Sequence, residues 1–140
     1  MINIHATTIS YKNKGIMIVG ESGSGKSDLA FRMIMQKKAK LIADDRTEIE
    51  IKNGKIYAYC PDNIKNMIEV RGVGIVPIKA KKSVKVALVA ELVDDIKKIE
   101  RMPKKETFFF ADAAVEKLKI YPFEMSAIDK LVIKVESLLD

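Results

Sequence analysis

One eight-residue stretch constrains this chain more than any other: Gly20-Glu21-Ser22-Gly23-Ser24-Gly25-Lys26-Ser27. It reads as a glycine, four variable positions, then Gly-Lys-Ser, the pattern of a loop that wraps polyphosphates. Its context agrees. Ile16-Met17-Ile18-Val19 before it is a short apolar run suited to a buried strand, and Ser27 to Lys37 after it has helical spacing. The glycines let the backbone curl so that its N–H groups converge on phosphate oxygens. The following helix adds the partial positive charge of its N-terminus. Lys26 is suited to the β- and γ-phosphates and the Ser27 hydroxyl to Mg²⁺. A nucleoside triphosphate or a related polyphosphate is the implied ligand. The loop alone does not specify what becomes of the phosphate.

Composition bounds the rest. A chain of 140 residues is expected to form a single domain, residues 1–140. The net charge is +6, but the basic residues are scattered and tryptophan is absent. A solvated lysine-rich surface is therefore expected rather than a stacking platform for nucleic acid. The single cysteine, Cys60, excludes an internal disulfide or a cysteine zinc cluster and fits a reducing, cytoplasmic setting. No run approaches the ~20 apolar residues of a membrane span. The first residues, Met1 to His5, carry no secretory pattern.

Along the chain, Ile4–Tyr11 reads as a strand, Asn13-Lys14-Gly15 as a turn, and Ile16–Val19 as the strand entering the loop. The helix after the loop shows an apolar stripe at Leu29, Ala30, Met33 and Ile34. Lys40–Ala43 reads as a buried strand ending at Asp44-Asp45-Arg46. Thr47–Ile51 and Lys55–Tyr59 alternate around Asn53-Gly54, the signature of a hairpin. Cys60–Asn63 is a break, and Ile64–Met67 suits one helical turn. Ile68–Val76 is apolar but holds Gly72 and Gly74, which predicts a bend or a close approach. Lys79–Lys85 is a basic loop and Val84–Leu92 a strong strand. Val93–Met102 suits a short surface helix or turn, and Thr107–Phe110 a strand. Ala111–Tyr121 fits either helix or strand. Ser126 with Asp129 suggests a capping box, opening an apolar helical stripe from Ile128 to Leu139.

Phosphoryl transfer needs a phosphate cradle, a metal site, a base and positive charge on the moving group. Candidates exist for each. Asp44 and Asp45 are carboxylates at a strand tip, where α/β sheets place chemistry. Glu69 is a second metal-ligand candidate, Arg71 and Arg101 are candidate phosphate clamps, and His5 is suited to holding a carboxylate.

In order, His5, the phosphate loop, Leu41-Ile42-Ala43-Asp44-Asp45-Arg46 and Glu69-Val70-Arg71-Gly72-Val73-Gly74-Ile75-Val76 resemble the HPr kinase/phosphorylase family in its C-terminal catalytic domain. The last motif is the most family-specific. The match is anchored from His5 to about Arg101, and the tail resembles the short alphaproteobacterial branch, without the N-terminal domain of longer members. The resemblance implies an α/β phosphate-loop domain with a mixed sheet, similar to the core of phosphoenolpyruvate carboxykinase. It also implies an ATP- and Mg²⁺-dependent serine kinase of HPr or an HPr-like phosphocarrier, with a phosphorolysis activity in reverse. The implied roles are Asp45 as the residue that takes and returns the proton, His5 against it, Lys26 and Arg101 in catalysis, and Ser27 and Glu69 on Mg²⁺. A homo-oligomer is left open. The segment that follows the signature in long members is replaced by Pro77–Lys82, and Ile120-Tyr121-Pro122-Phe123 stands near the place of a second missing segment. Rival readings are a phosphate-loop kinase or hydrolase of a small metabolite, a non-enzymatic nucleotide sensor, and a nucleic-acid binder.

Overall fold

The computed structural model describes residues 1–61 and 66–138. These described residues form eleven strands and two α-helices: β1 Ile2–His5, β2 Thr7–Tyr11, β3 Lys14–Val19, α1 Lys26–Lys37, β4 Lys40–Ala43, β5 Arg46–Lys52, β6 Lys55–Tyr59, β7 Met67–Val70, β8 Gly74–Pro77, β9 Ser83–Leu92, β10 Glu106–Phe110, β11 Ala113–Ile120 and α2 Ala127–Glu136. A nine-stranded mixed sheet runs β1-β5-β6-β9-β3-β2-β4, with β11 on β9 and β10 on β11. The parallel pairs are β3 with β9 and β9 with β11. The separate pair β7–β8 is an antiparallel hairpin.

The ten-residue β9 is the spine. On one edge its first half pairs with β6, at Ser83 to Lys85, and its second half with β11, at Leu88 to Leu92. β3 takes the other edge. Apolar side chains cover both faces, giving two cores. One lies under the helices and includes Ile16, Ile18, Leu29, Met33, Leu88, Ala90 and Leu131. The other, on the opposite side, includes Met17, Ile49, Ile56, Val84, Val86 and Val89.

A bulge produces that division. Gly15 pairs with Val86 but Ile16 pairs with Leu88, so Ala87 is extra. An added residue flips every side chain beyond it to the other face. Val84 and Val86 accordingly face the second core, while Leu88, Ala90 and Leu92 face the helical core. Gly15 is tied to this crossing: a Cβ there would lie 2.7 Å from both the Lys85 carbonyl oxygen and Val84 Cγ1. A second irregularity, between Thr8 and Ile9 against Ala43 and Leu41, leaves Ile42 and Ala43 both in the second core.

Several sequence expectations shift. The Ile4–Tyr11 strand is two strands broken at Ala6, whose N–H donates to the Asp45 carbonyl at 3.0 Å. β1 then pairs with β5 and β2 with β3 and β4. The turn sits one residue earlier than expected: Tyr11 pairs with Lys14 around Lys12 and Asn13, both left-handed at φ 49° and 64°, as a twisted hairpin demands. The Asn53-Gly54 hairpin forms as read, with Lys52 opposite Lys55. The two glycines of Ile68–Val76 turn the chain back, as β7 and β8. The ambiguous stretch after Phe110 is strand β11. The short helical segment in Val93–Met102 is a 3-10 turn, Ile96–Lys98. Ser126 begins α2, but its side chain makes no capping bond, so the capping box does not form. Asp62, Asn63, Ile64 and the Leu139 end of the apolar stripe lie outside the described residues.

A link at the rim joins the β2–β3 turn to α2. Tyr11 Oη and Lys12 Nζ both donate to Glu136 Oε2, at 2.8 and 2.7 Å. Lys12 first, then Tyr11, holds the Glu136 carboxyl below its ordinary value of 4.5. A depressed carboxylate stabilises above its unfolded value and loses that contribution as pH falls through its folded value. The Tm gap between the wild-type chain and Glu136→Gln should therefore be open at neutral pH and close as pH drops below 4.5. In thermal melts Gly15→Ala should lower Tm by roughly 5–10 °C, the cost of an overpacked strand crossing, whereas Lys55→Ala on the exposed hairpin end should stay within about 2 °C.

Candidate active site

β4 runs antiparallel to β2, and β2 antiparallel to β3, so β4 and β3 end on the same side of the sheet. Asp44-Asp45 follows β4, and the phosphate loop follows β3. This places the two motifs side by side.

The loop is a tight turn, with the Ser24 N–H on the Glu21 carbonyl at 3.0 Å. Gly25, in a left-handed conformation at φ 103°, caps α1, a geometry that strains any residue with a Cβ. Its carbonyl accepts the Leu29 N–H at 2.9 Å. Lys26 is 6% exposed and donates to the carbonyls of Gly20 and Glu21, at 3.0 and 2.8 Å. Burial pushes its ammonium pKa down, while Asp45 and Asp44 pull it back up. Ser24 Oγ is buried without a hydrogen-bond partner among the described residues. A helix N-terminus, a sequestered lysine and an unpaired hydroxyl fit a polyphosphate.

Asp44 is the hub. Its Oδ1 accepts from Ser27 Oγ at 2.5 Å and from Thr7 Oγ1 at 3.1 Å. The Glu69 N–H reaches its Oδ2 at 3.4 Å. Ser27 and Asp44 thus form a pair of hard oxygen donors, and Glu69, whose carboxylate is exposed, is tied to Asp44 through its backbone N–H. Such a pair suits Mg²⁺, which takes one or two carboxylates and completes its shell with water and phosphate. No cage of three or more His, Cys, Asp or Glu side chains occurs among the described residues.

Asp45 is held differently. Its side chain is 68% exposed and its Oδ1 accepts from His5 Nε2 at 2.8 Å. Its backbone is left-handed, φ 68°, a region that aspartate and asparagine enter more readily than other residues. The Asp45 N–H donates to Thr7 Oγ1 at 3.1 Å. Thr7 therefore ties both aspartates with one hydroxyl, accepting from Asp45 and donating to Asp44. Sequence reading took Thr7 only as a strand former. The available signal was a polar residue in a strand that proves wholly buried.

The structure thus joins Ser27 and the Glu69 backbone to Asp44 and His5 to the adjacent Asp45, with Lys26 close enough to feel both charges. Arg71, in the β7–β8 turn, and Arg101 are exposed, and neither makes a hydrogen bond or ion pair with a described residue. A cleft of about 750 Å³ adjoins the loop at Gly20, Glu21 and Ser24 and extends along Glu91, Asp94 and Lys117. It does not reach the aspartate pair. Two of its carboxylates pair with lysines: Lys117 lies 3.0 Å from Glu91, and Lys98 lies 2.6 Å from Asp94.

A mixed sheet with a phosphate loop and a carboxylate pair on one rim defines an α/β domain of the phosphate-loop type. Residues 1–135 match the family described as the HPr serine kinase C-terminal domain, and the chain belongs to that family. Among its relatives, the HPr kinase/phosphorylase of Thermoanaerobacter sp. (strain X514) is 34% identical over 130 residues, 85% of this chain and 42% of that protein. The HPr kinase/phosphorylase of Mycoplasmopsis pulmonis is 40% identical over 77 residues, 55% of this chain and 25% of that protein. The chain thus spans less than half the length of these curated relatives. The solved structure of the Hpr(Ser) kinase/phosphatase from Coxiella burnetii superposes with a TM-score of 0.84 at 21% identity, covering 99% of this chain and 97% of that one. This likeness bears on the fold.

The left-handed backbone at position 45 gives a direct test of the geometry. Asp45→Asn should change unfolding free energy by no more than about 0.5 kcal/mol. Asp45→Val, whose branched Cβ resists that backbone, should cost about 1–3 kcal/mol in denaturant titration.

Proposed function

We propose that this chain is a protein-serine kinase that transfers the terminal phosphoryl group of ATP, with Mg²⁺, to a serine of HPr or an HPr-like phosphocarrier protein in the cytoplasm. The observation that carries this reading is the pair at the strand tip. An exposed carboxylate, Asp45, is oriented by His5 at 2.8 Å, next to an inward carboxylate, Asp44, that holds Ser27 at 2.5 Å. One is open to an incoming hydroxyl, and the other would face a metal held at Ser27. A sensor that only binds nucleotide has no need of the first. Family membership over residues 1–135 and the names of the relatives support HPr as the acceptor rather than a small metabolite.

The geometry and the family resemblance together support a role for each residue. When bound, ATP supplies the phosphoryl group and Mg²⁺ screens its charge. Gly20 to Ser27 would cradle the phosphates with backbone N–H groups. Lys26, tethered within the loop by Gly20 and Glu21, would turn its ammonium to the transferring end. Ser27 and Glu69 would hold the metal, with Asp44 fixing Ser27. Asp45 would accept the serine proton as the hydroxyl attacks, while the Nε2–H of His5 keeps the carboxylate in place. Arg101, unpaired among the described residues, is free to steady phosphate charge when the partner docks. In reverse, inorganic phosphate would attack phosphoserine, Asp45 would return the proton to the serine oxygen, and pyrophosphate would leave.

Purified protein with ATP, Mg²⁺ and HPr should form phosphoserine on HPr. Asp45→Asn should keep ATP affinity within about threefold while lowering transfer by 10²-fold or more, the usual weight of a general base. Wild-type protein that leaves every HPr-like acceptor unmodified but turns over a small molecule would refute the reading. Pyrophosphate released from phosphorylated carrier and inorganic phosphate would report the reverse reaction.

A further inference from the structure

Proposed catalysis occupies one side of the phosphate loop, and the opposite side carries a feature that it leaves unused. The parallel strands β3, β9 and β11 end together, with the Val93 N–H on the Ile120 carbonyl at 2.9 Å. Beyond β11 the chain runs Tyr121-Pro122-Phe123 and closes over the loop. A Cβ at Gly25 would lie 3.5 Å from Pro122 Cγ and 3.7 Å from Phe123 Cζ. Phe123 nonetheless remains 65% exposed. Tyr121 meets it edge to face, with centroids 5.7 Å apart and planes at 76°. The segment is pinned from α1, where Arg32 Nη2 donates to the Pro122 carbonyl at 2.7 Å and Arg32 Nε bridges Asp28 at 3.1 Å. A large apolar ring is thus fixed at the rim of a phosphate cradle.

The sheet order decides what that ring can meet. Across the rim the order is β4, β2, β3, β9, β11. Asp44 and Asp45 follow β4, the loop follows β3, and Phe123 follows β11. A triphosphate lying in the loop with its reacting end at the aspartates therefore points its other end toward Phe123. Ligands of such sheets lie across the carboxyl ends of the strands. The cleft at Glu91 and Lys117 is the competing location, but Glu91 and Asp94 already pair with lysines and its aromatic residue, Phe108, packs on the second core.

We propose that Phe123, braced by Tyr121, is the stacking platform for the nucleotide base, and so the residue that makes the site prefer a nucleoside triphosphate to a bare polyphosphate. This rests on the phosphate-loop reading above. A π-face stacks on any base, so the contact gives affinity for nucleosides with little choice among them.

Calorimetric titration with ATP and with inorganic tripolyphosphate, both with Mg²⁺, separates the contributions. Phe123→Ala should weaken ATP about tenfold and leave tripolyphosphate within twofold, and Phe123→Tyr should restore ATP. Since the chain contains no tryptophan, Phe123→Trp supplies a lone indole whose emission ATP should quench and tripolyphosphate should not. Equal losses for both ligands in Phe123→Ala, or unchanged ATP affinity with no quenching, would overturn the assignment. Wild-type protein that binds neither ligand would overturn the phosphate-loop reading and this inference with it.

Discussion

The Asp44 carboxylate is the constraint on which the site depends. Its two oxygens collect groups from three separate parts of the chain: the first helical turn through Ser27, the start of β2 through Thr7, and β7 through the Glu69 N–H. A half-buried carboxylate is costly unless its lone pairs are engaged. Engaging them here fixes the loop hydroxyl, the strand tip and the family hairpin relative to one another. Asp45 is defined by contrast. The backbone turns left-handed between the two residues, so the second carboxylate points outward to His5. Neighbouring acids in the sequence thereby acquire opposite environments, one inward on Ser27 and Thr7 and one exposed on His5.

The sheet supplies the platform through its irregularities. A uniform β9 would present the same residues to one face throughout. The extra residue at Ala87 switches that face midway, so one strand serves the helical core near the phosphate loop and the second core at its start. Gly15 permits the switch, because a side chain there would meet β9 backbone. The consequence for function is positional: β3 and β4 deliver their motifs to one rim, and β9 and β11 extend that rim away from the aspartates.

Much of this was legible in the sequence, and the reasons are local. Strand, phosphate loop and helix are contiguous, and each follows from its own residues. Asn53-Gly54 encodes its own turn. The site motifs were identifiable because each carries its chemistry in one short stretch. What escaped depended on partners far along the chain. The break at Ala6 comes from a bond to Asp45, and the bulge at Ala87 comes from pairing across β3. Thr7 looks like any β-branched strand residue until β4 is placed beside it. The resemblance singled out Asp45, but nothing local in the sequence told that Asp44 would turn inward to Ser27 and Thr7. Ala111–Tyr121 lacked a decisive period, and pairing with β9 makes it a strand. Phe123 entered only as part of a segment standing near the place of a missing one, and its position against Gly25 is purely tertiary.

In the proposed mechanism Asp44 would prepare a metal position shared by Ser27 and Glu69. The most direct measurement is the Mg²⁺ dependence of ATP affinity in the wild-type chain and in Asp44→Asn. Mg²⁺ should tighten ATP binding in the wild type, and most of this gain should disappear in Asp44→Asn while metal-free affinity changes little. An Asp44→Asn variant that retains the full Mg²⁺ effect would contradict it.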